Sequence, residues 1–318
     1  MNIVFMGTPE FAAESLKALV EAKKYTIQAV VTQPDRPKGR GKKLMMSAVK
    51  EYALTQDLPV LQPEKVKTPE FLAQMQELDP DLIVVAAFGQ FLPKVLLDLP
   101  KYGCINVHAS LLPKYRGAAP IHYAILKGET EAGVTIMQMD VGMDTGAMLS
   151  KVAVPIGPDM TQGELHDILK VKGAELLLQT IEGLVAGTVV PVPQPEAEAT
   201  YATLITRDME HLQWTKSAQE LHNQIRAFNP WPGSYTILPN GKRLKLWSSS
   251  VLESCRSVTE RDEQPAPGTV LKADHGQFLV ACGQGVLEIR TCQPEGKKQM
   301  DAAQFVNGSH VAVGDKLE

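Results

Sequence analysis

Two short segments of this 318-residue chain combine side chains that can stabilise charge and move protons: Asn106-Val107-His108 and Asp140-Val141-Gly142-Met143-Asp144-Thr145-Gly146. Asn106 and His108 are two residues apart, so on an extended segment both project to one side. A carboxamide there can donate to a developing oxyanion, and an imidazole can donate or relay a proton. An acid such as Asp144 beside the ring would orient it and favour its charged form. A hydrogen-bonded turn uses the same residue types, and an Asp in a glycine-rich loop is a common turn former. Position speaks for chemistry, because the first segment ends the strand-like run that begins at Cys104 and the second follows the apolar run Gly133–Met139.

Those runs belong to an alternating pattern. Residues 2–6 are apolar and β-prone, Thr8-Pro9 offers an N-cap with proline behind it, and Phe11, Leu16, Leu19 and Val20 give a helical stripe. A second strand reads at Ile27–Thr32, with helices near Ser47–Gln56 and after Thr68-Pro69. The run Asp81–Ala86 is apolar on both faces, as a central parallel strand is. Thr161 and Glu164 form a capping box ahead of a helix carrying Leu165, Ile168, Leu169, Leu177, Leu178, Ile181 and Leu184. Strands and helices in this alternation predict an α/β domain over residues 1–187, a doubly wound Rossmann-like parallel sheet that binds ligands at the carboxyl ends of its strands. Both polar segments then fall on that edge, and Asp144 is expected to reach His108 across it.

The second half reads differently. Pro191, Pro193 and Pro195 stand at alternate positions in residues 188–206, a composition that favours an extended, semi-rigid linker. Beyond it, Ser217 and Glu220 cap one short helix. Turn signals such as Asn229-Pro230-Trp231-Pro232-Gly233 then separate strand-like runs near 235–238, 243–247, 268–272, 277–281 and 285–292. This predicts a small OB-like β-barrel over 207–318.

Lys+Arg at 32 against Asp+Glu at 36 gives a net charge of −4, which excludes a uniformly basic nucleic-acid coat but not a local patch. Arg36, Lys38, Arg40, Lys42 and Lys43 are such a patch, five cations in eight residues, with Pro37, Gly39 and Gly41 among them. They follow the second strand of the same sheet; such a run is commonly a solvated loop, and over a ligand edge it can also meet phosphates. Apolar residues at 44% and charged residues at 21% describe a globular protein rather than a disordered one. The longest apolar run, Leu82–Phe88, is far shorter than the roughly 20 residues of a membrane span. No signal peptide is read at the first residues, and four cysteines without a C-x-x-C pair read as reduced thiols, so a cytoplasmic location is expected. Gly7-Thr8-Pro9-Glu10-Phe11 lacks the later glycines of a dinucleotide fingerprint, and the histidines show no metal-ligand spacing; neither NAD nor a metal is expected.

The pattern Asn106-x-His108-x-Ser110-Leu111-Leu112-Pro113 with a later Asp144 resembles the formyltetrahydrofolate-dependent formyltransferases. The segments Gly7–Ala13, Thr32–Pro37 with Gly39–Leu44, Gly133–Met139 and Arg226–Pro232 resemble the members that act on charged initiator tRNA, and the similarity covers nearly the whole chain. The resemblance implies 10-formyltetrahydrofolate as co-substrate, with no metal. It implies the α-amine of methionyl initiator tRNA as acceptor. It implies Asn106, His108 and Asp144 as the catalytic trio, and Phe88, Gly89, Ser110, Leu111, Leu112, Pro113 and Asp140 as the folate-binding set. The same resemblance assigns tRNA contact to Arg36, Lys38, Arg40, Lys42 and Lys43, with the barrel as a second RNA-contacting surface. Nothing demands an oligomer, and a monomer is expected. Three positions depart from the family pattern: Ala109 where glycine is usual, Phe88 where tyrosine is frequent, and Met46 where proline is common. Phe88 keeps the ring and loses one hydroxyl.

In the implied reaction an α-amine, with a pKa near ~8 in a peptide and lower beside an ester, is largely a neutral nucleophile already. The demand falls on the oxyanion, where one donor such as Asn106 is worth about 3 kcal/mol, and on protonating the leaving nitrogen, which falls to His108. His122 and His166 lie in helices and read as structural.

Overall fold

The computed structural model describes residues 1–38, 43–252, 265–308 and 311–318. They form two compact units. Met1–Pro120, Glu131–Val154 and His166–Ala202 make the first, and Ile121–Thr130, Pro155–Leu165 and Thr203–Glu318 the second.

The chain runs through β1 (Asn2–Gly7), α1 (Glu10–Glu21), β2 (Thr26–Val31), β3 (Arg36–Lys38), β4 (Lys43–Met45), α2 (Ala48–Thr55), β5 (Val60–Leu61), α3 (Pro69–Leu78) and β6 (Leu82–Ala86). It continues through α4 (Lys94–Leu97), β7 (Cys104–His108), β8 (Arg116–Gly117), α5 (Pro120–Leu126), β9 (Glu131–Gln138), β10 (Met148–Pro155), α6 (Gln162–Val185) and β11 (Tyr201–Ala202). Seven of these strands form one sheet, ordered β10-β9-β7-β6-β1-β2-β5. From β5 to β7 every pairing is parallel. All five residues of β6 are buried, which is why that strand is apolar on both faces. Val4, Met6, Val31, Ile83 and Val85 pack under Phe71 and Met75 of α3.

Local signals behave as their chemistry requires. Ser47 and Thr68 accept the Lys50 and Phe71 amides at the starts of α2 and α3, and Thr161 and Glu164 exchange capping bonds before α6. Thr8 does not cap α1; that helix starts after Pro9, and the Thr8 hydroxyl oxygen sits 3.4 Å from the Gln33 amide it accepts.

The sheet is not parallel throughout. β9 runs antiparallel to β7, with Thr135 opposite His108 and Gln138 opposite Ile105. The chain therefore leaves β9 at the end of the sheet away from His108. The loop after that strand does not issue onto the ligand edge, contrary to expectation. It doubles back instead: Met139 N donates to the Cys104 carbonyl and Gln138 N to the Ala147 carbonyl, both at 2.8 Å. A buried apolar run carries no mark of strand direction, so its sequence suits either orientation.

In the second unit α7 (Ala218–Ala227) precedes β12 (Ser234–Ile237), β13 (Arg243–Leu252), β14 (Val270–Asp274), β15 (Gln277–Ala281), β16 (Val286–Pro294), β17 (Met300–Asp301) and α8 (Ala302–Asn307). The antiparallel sheet runs β12-β13-β16-β15-β14, with β17 on β16. Residues 314–318 bridge its two edge strands. Gly314 and Leu317 donate to the Val270 and Gly268 carbonyls, and Ile237 and Glu318 exchange bonds of 2.7 and 3.0 Å, a barrel-like closure that covers both edges. Arg226 of α7 is buried and donates from Nη1 to the Gly157 and Met160 carbonyls at 3.2 and 3.1 Å, which ties residues 155–165 into this unit. Burial pulls its pKa below the ordinary value, with Asp159 opposing the shift.

Phe278 is wholly buried, 5.6 Å from the Phe305 ring. Phe278→Ala is expected to lower the unfolding free energy of this unit by about 3–5 kcal/mol. Urea denaturation measures it, and a loss below about 1 kcal/mol would contradict this packing.

Candidate active site

β7 delivers Asn106 and His108 to one side of the sheet, as their spacing requires, and the returning loop brings Asp144 to them. Asn106 Nδ2 lies 3.5 Å from Asp144 Oδ1, and His108 Nδ1 lies 3.6 Å from Asp144 Oδ2. Both distances are long for hydrogen bonds. Asp144 is fixed more firmly by the Gly117 amide, which donates to Oδ2 at 2.8 Å. The His108 ring is only 6% exposed, and its Nε2 stands 3.0 Å from the Tyr115 carbonyl. A carbonyl can only accept, so Nε2 carries a proton and Nδ1 is the nitrogen turned toward the acid.

The Asp144 backbone sits in the left-handed region, at φ 54°. Three neighbours hold it there. Asp140 Oδ1 accepts the Gly142 amide at 3.0 Å and the Thr145 hydroxyl at 2.6 Å. Gly146 passes so close to the Gln138 carbonyl that a Cβ would overlap it. Gln194 donates to the Asp144 and Gly146 carbonyls at 2.7 and 2.8 Å.

The residues expected to hold folate are distributed around this cluster in unequal ways. β6 pairs in parallel with β7 as far as Val85 beside Asn106, so the turn after β6 leaves the sheet at the same edge as His108. Ala87 and Gly89 are exposed and left-handed, at φ 43° and 82°, and leave main chain open at the strand end. The Phe88 ring turns inward among Phe71, Leu92 and Leu96, so only its backbone faces that edge; its carbonyl accepts from Gln33 at 3.1 Å. The Ser110 hydroxyl is committed to the Lys114 carbonyl at 2.6 Å. Leu112 packs with Met137 and Met148, its carbonyl accepts from Lys151, and its bond to Pro113 is cis. Leu111 is half-buried and Asp140 exposed.

Of the cationic patch, Lys38 and Lys43 are backbone register partners in the antiparallel ribbon β3–β4, and Arg36 lies 3.4 Å from Glu64 on the surface. Arg40 and Lys42 lie outside the described residues. Leu44, Met45 and Met46, next along the ribbon, are all exposed. His166 contacts Asp167 and the Phe11 ring, and the His122 ring lies tilted against that of Phe228, 6.3 Å between centroids. The Cys104 thiol at the start of β7 is pushed up to about 12 by burial, reinforced by Asp98, and is no nucleophile. Among the described residues no cluster of three His, Cys, Asp or Glu side chains could hold a metal ion, and no helix is long and apolar enough to cross a membrane. Sequence reasoning missed Tyr115, Gly117, Gln194 and Thr200, all of which act by backbone or through bonds to distant backbone. Only Gly117, with φ 113° and no room for a Cβ beside the Ala202 carbonyl, belongs to a residue type that flags such a role.

The formyl transferase family model matches residues 1–181, and the formyl transferase C-terminal domain model matches residues 204–310. The methionyl-tRNA formyltransferase of Acetivibrio thermocellus is 48% identical over 317 residues, covering 100% of this chain and 99% of that protein. The enzyme of the same name from Symbiobacterium thermophilum is 52% identical over 318 residues, covering 100% of this chain and 95% of that protein. Among solved structures, the sugar 3N-formyl transferase WlaRD, crystallised with dTDP and 5-N-formyl-THF, superposes with a TM-score of 0.64 at 20% identity, over 94% of this chain and 99% of that one, a likeness of fold. With both of its halves matched and its full length aligned to such relatives, the chain belongs to the formyl transferase family.

Proposed function

We propose that the chain transfers the formyl group of 10-formyltetrahydrofolate to the α-amine of methionyl initiator tRNA, acting in the cytoplasm as a monomer. The supporting observation is the meeting of Asn106, His108 and Asp144 in a chain whose two halves both match formyl transferase models. The bound folate supplies the formyl carbon and N10 as its leaving nitrogen. Asn106 Nδ2–H donates to the oxyanion that forms as the α-nitrogen bonds to that carbon. His108, through Nδ1, takes the proton released by the attacking nitrogen and returns one to N10 as the old carbon–nitrogen bond breaks. Asp144 balances the charge on the ring and, held by Gly117, keeps it in place. The exposed turn at Ala87–Gly89, the Ser110–Pro113 loop and Asp140 are the proposed folate contacts; Phe88 and Ser110 serve there through backbone and support. Arg36, Lys38, Arg40, Lys42 and Lys43 supply the charge for the acceptor-end phosphates.

Formyl transfer assayed with methionyl initiator tRNA and an amino-sugar nucleotide as separate acceptors tests the reading. Product on the tRNA is expected, and product on the sugar alone would replace the acceptor. In the same assay Arg40→Ala should raise KM for charged tRNA and reduce the salt slope by about 1, leaving KM for folate unchanged. Unaltered tRNA kinetics would remove the patch from the interface.

A further inference from the structure

Residues 191–202, rich in proline, make bonds that a spacer does not need. The Gln194 carboxamide uses both of its ends: Nε2 donates to the carbonyls of Asp144 and Gly146 at 2.7 and 2.8 Å, and Oε1 accepts Arg116 Nε at 3.0 Å. Arg116 is 1% exposed, and its Nη1 reaches both oxygens of Glu196 at 3.2 and 2.9 Å. Burial works against the Arg116 charge, and Glu196 and Tyr201 more than offset it, so its pKa is raised. Six residues after Gln194, the Thr200 hydroxyl oxygen accepts the Tyr115 amide at 2.9 Å, and the Thr200 carbonyl accepts the Arg116 amide at 2.8 Å. Tyr115 is the residue whose carbonyl fixes His108 Nε2.

We propose that Gln194–Thr200 is a positioning strap that sets the His108 ring and the Asp144 carboxylate relative to each other, a role that rests on the formyl-transfer reading of this site. Tyr115 and Asp144 are both non-glycine residues in the left-handed region, at φ 61° and 54°, a conformation that persists only where surroundings impose it. One segment imposes both: Gln194 on the Asp144 side and Thr200 on the Tyr115 side. Pro191 and Pro193 restrict the backbone leading into it and Pro195 the backbone within it, so little freedom remains to be lost when the site assembles. Gln194 and Thr200 touch no reacting atom; they act through the loop and the peptide they hold.

Kinetics of Gln194→Ala, Thr200→Val and Thr200→Ser, with NMR of the His108 ring nitrogens, test the strap. Gln194→Ala and Thr200→Val are expected to lower kcat by about ten- to a hundredfold, with KM for tRNA and folate within about twofold, the signature of misplacement rather than lost binding. Thr200→Ser keeps the hydroxyl and should recover the rate lost in Thr200→Val. The ring should carry its proton on Nε2 in the wild type and share it with Nδ1 in Thr200→Val. Unchanged kcat in both variants, or Thr200→Ser as slow as Thr200→Val, overturns the strap. Should Gln194→Ala fail to fold, the two Thr200 variants carry the test. Should the wild type formylate neither acceptor, the formyl-transfer reading fails, and the strap is then judged by the His108 nitrogens, an identical spectrum in Thr200→Val ruling it out.

Discussion

His108→Ala is expected to lower kcat by about 10²–10⁴-fold while leaving KM for folate and for charged tRNA nearly unchanged. The ring is almost wholly enclosed, one nitrogen is tied to the Tyr115 carbonyl, and the other turns toward Asp144. Such a residue contributes little to ground-state binding and much to moving a proton between two nitrogens. A ring of this kind can also be a structural brace, and His108→Gln separates the two roles. Glutamine keeps a side-chain N–H able to donate to Tyr115 but cannot accept and return a proton near neutral pH. If proton transfer is the role, Gln should be nearly as slow as Ala in single-turnover assays. Recovery to within about tenfold of wild type by Gln would reduce His108 to a brace and move proton transfer elsewhere, to water or to the substrates.

What could be read from the residues depended on how local the determining physics is. The central strand at Leu82–Ala86 was legible because burial on both faces leaves no polar position. The capping boxes at Thr161–Glu164 and Ser217–Glu220 were legible because each closes within one turn. Asn106 and His108 were legible as a pair because strand geometry alone puts them on one side. Asp144 was legible by type but not by route. The antiparallel direction of β9 is set by pairing, not by its own composition, and the returning loop is bonded by Gln194, fifty residues further along. β10 went unread because it alternates weakly, with only two of eight residues buried. The alternate prolines around Gln194 masked a residue that binds the site, since proline density signals an extended backbone without saying what that backbone lies against. Phe88 shows the same limit on a smaller scale. An aromatic ring at a strand end suits a ligand pocket and a core equally, and here it fills the core.

Asn106→Ala should lower kcat by about 10²–10³-fold, or about 2.7–4 kcal/mol of barrier, the range for removing one oxyanion donor. The side chain is half-buried beside Asp144, and its hydrogen bond to Oδ1 there is long at 3.5 Å, so the amide is only weakly engaged and remains available to a new acceptor. Its removal should therefore leave stability nearly intact, unlike the loss of a saturated buried amide. Asn106→Asp is the more demanding variant. It preserves shape and volume but replaces the donor with an acceptor, and it sets a second carboxylate against Asp144 where the oxyanion must form. If Asn106 stabilises developing negative charge, Asp should be slower than Ala despite being the closer isostere. If Asn106 merely fills space or orders the loop, Asp should outperform Ala. Comparing kcat for the two variants at neutral pH, with melting temperatures recorded alongside, distinguishes these cases. An Asp variant faster than Ala would withdraw the oxyanion role from Asn106 and leave the main-chain amides along the strand ends as the remaining donors.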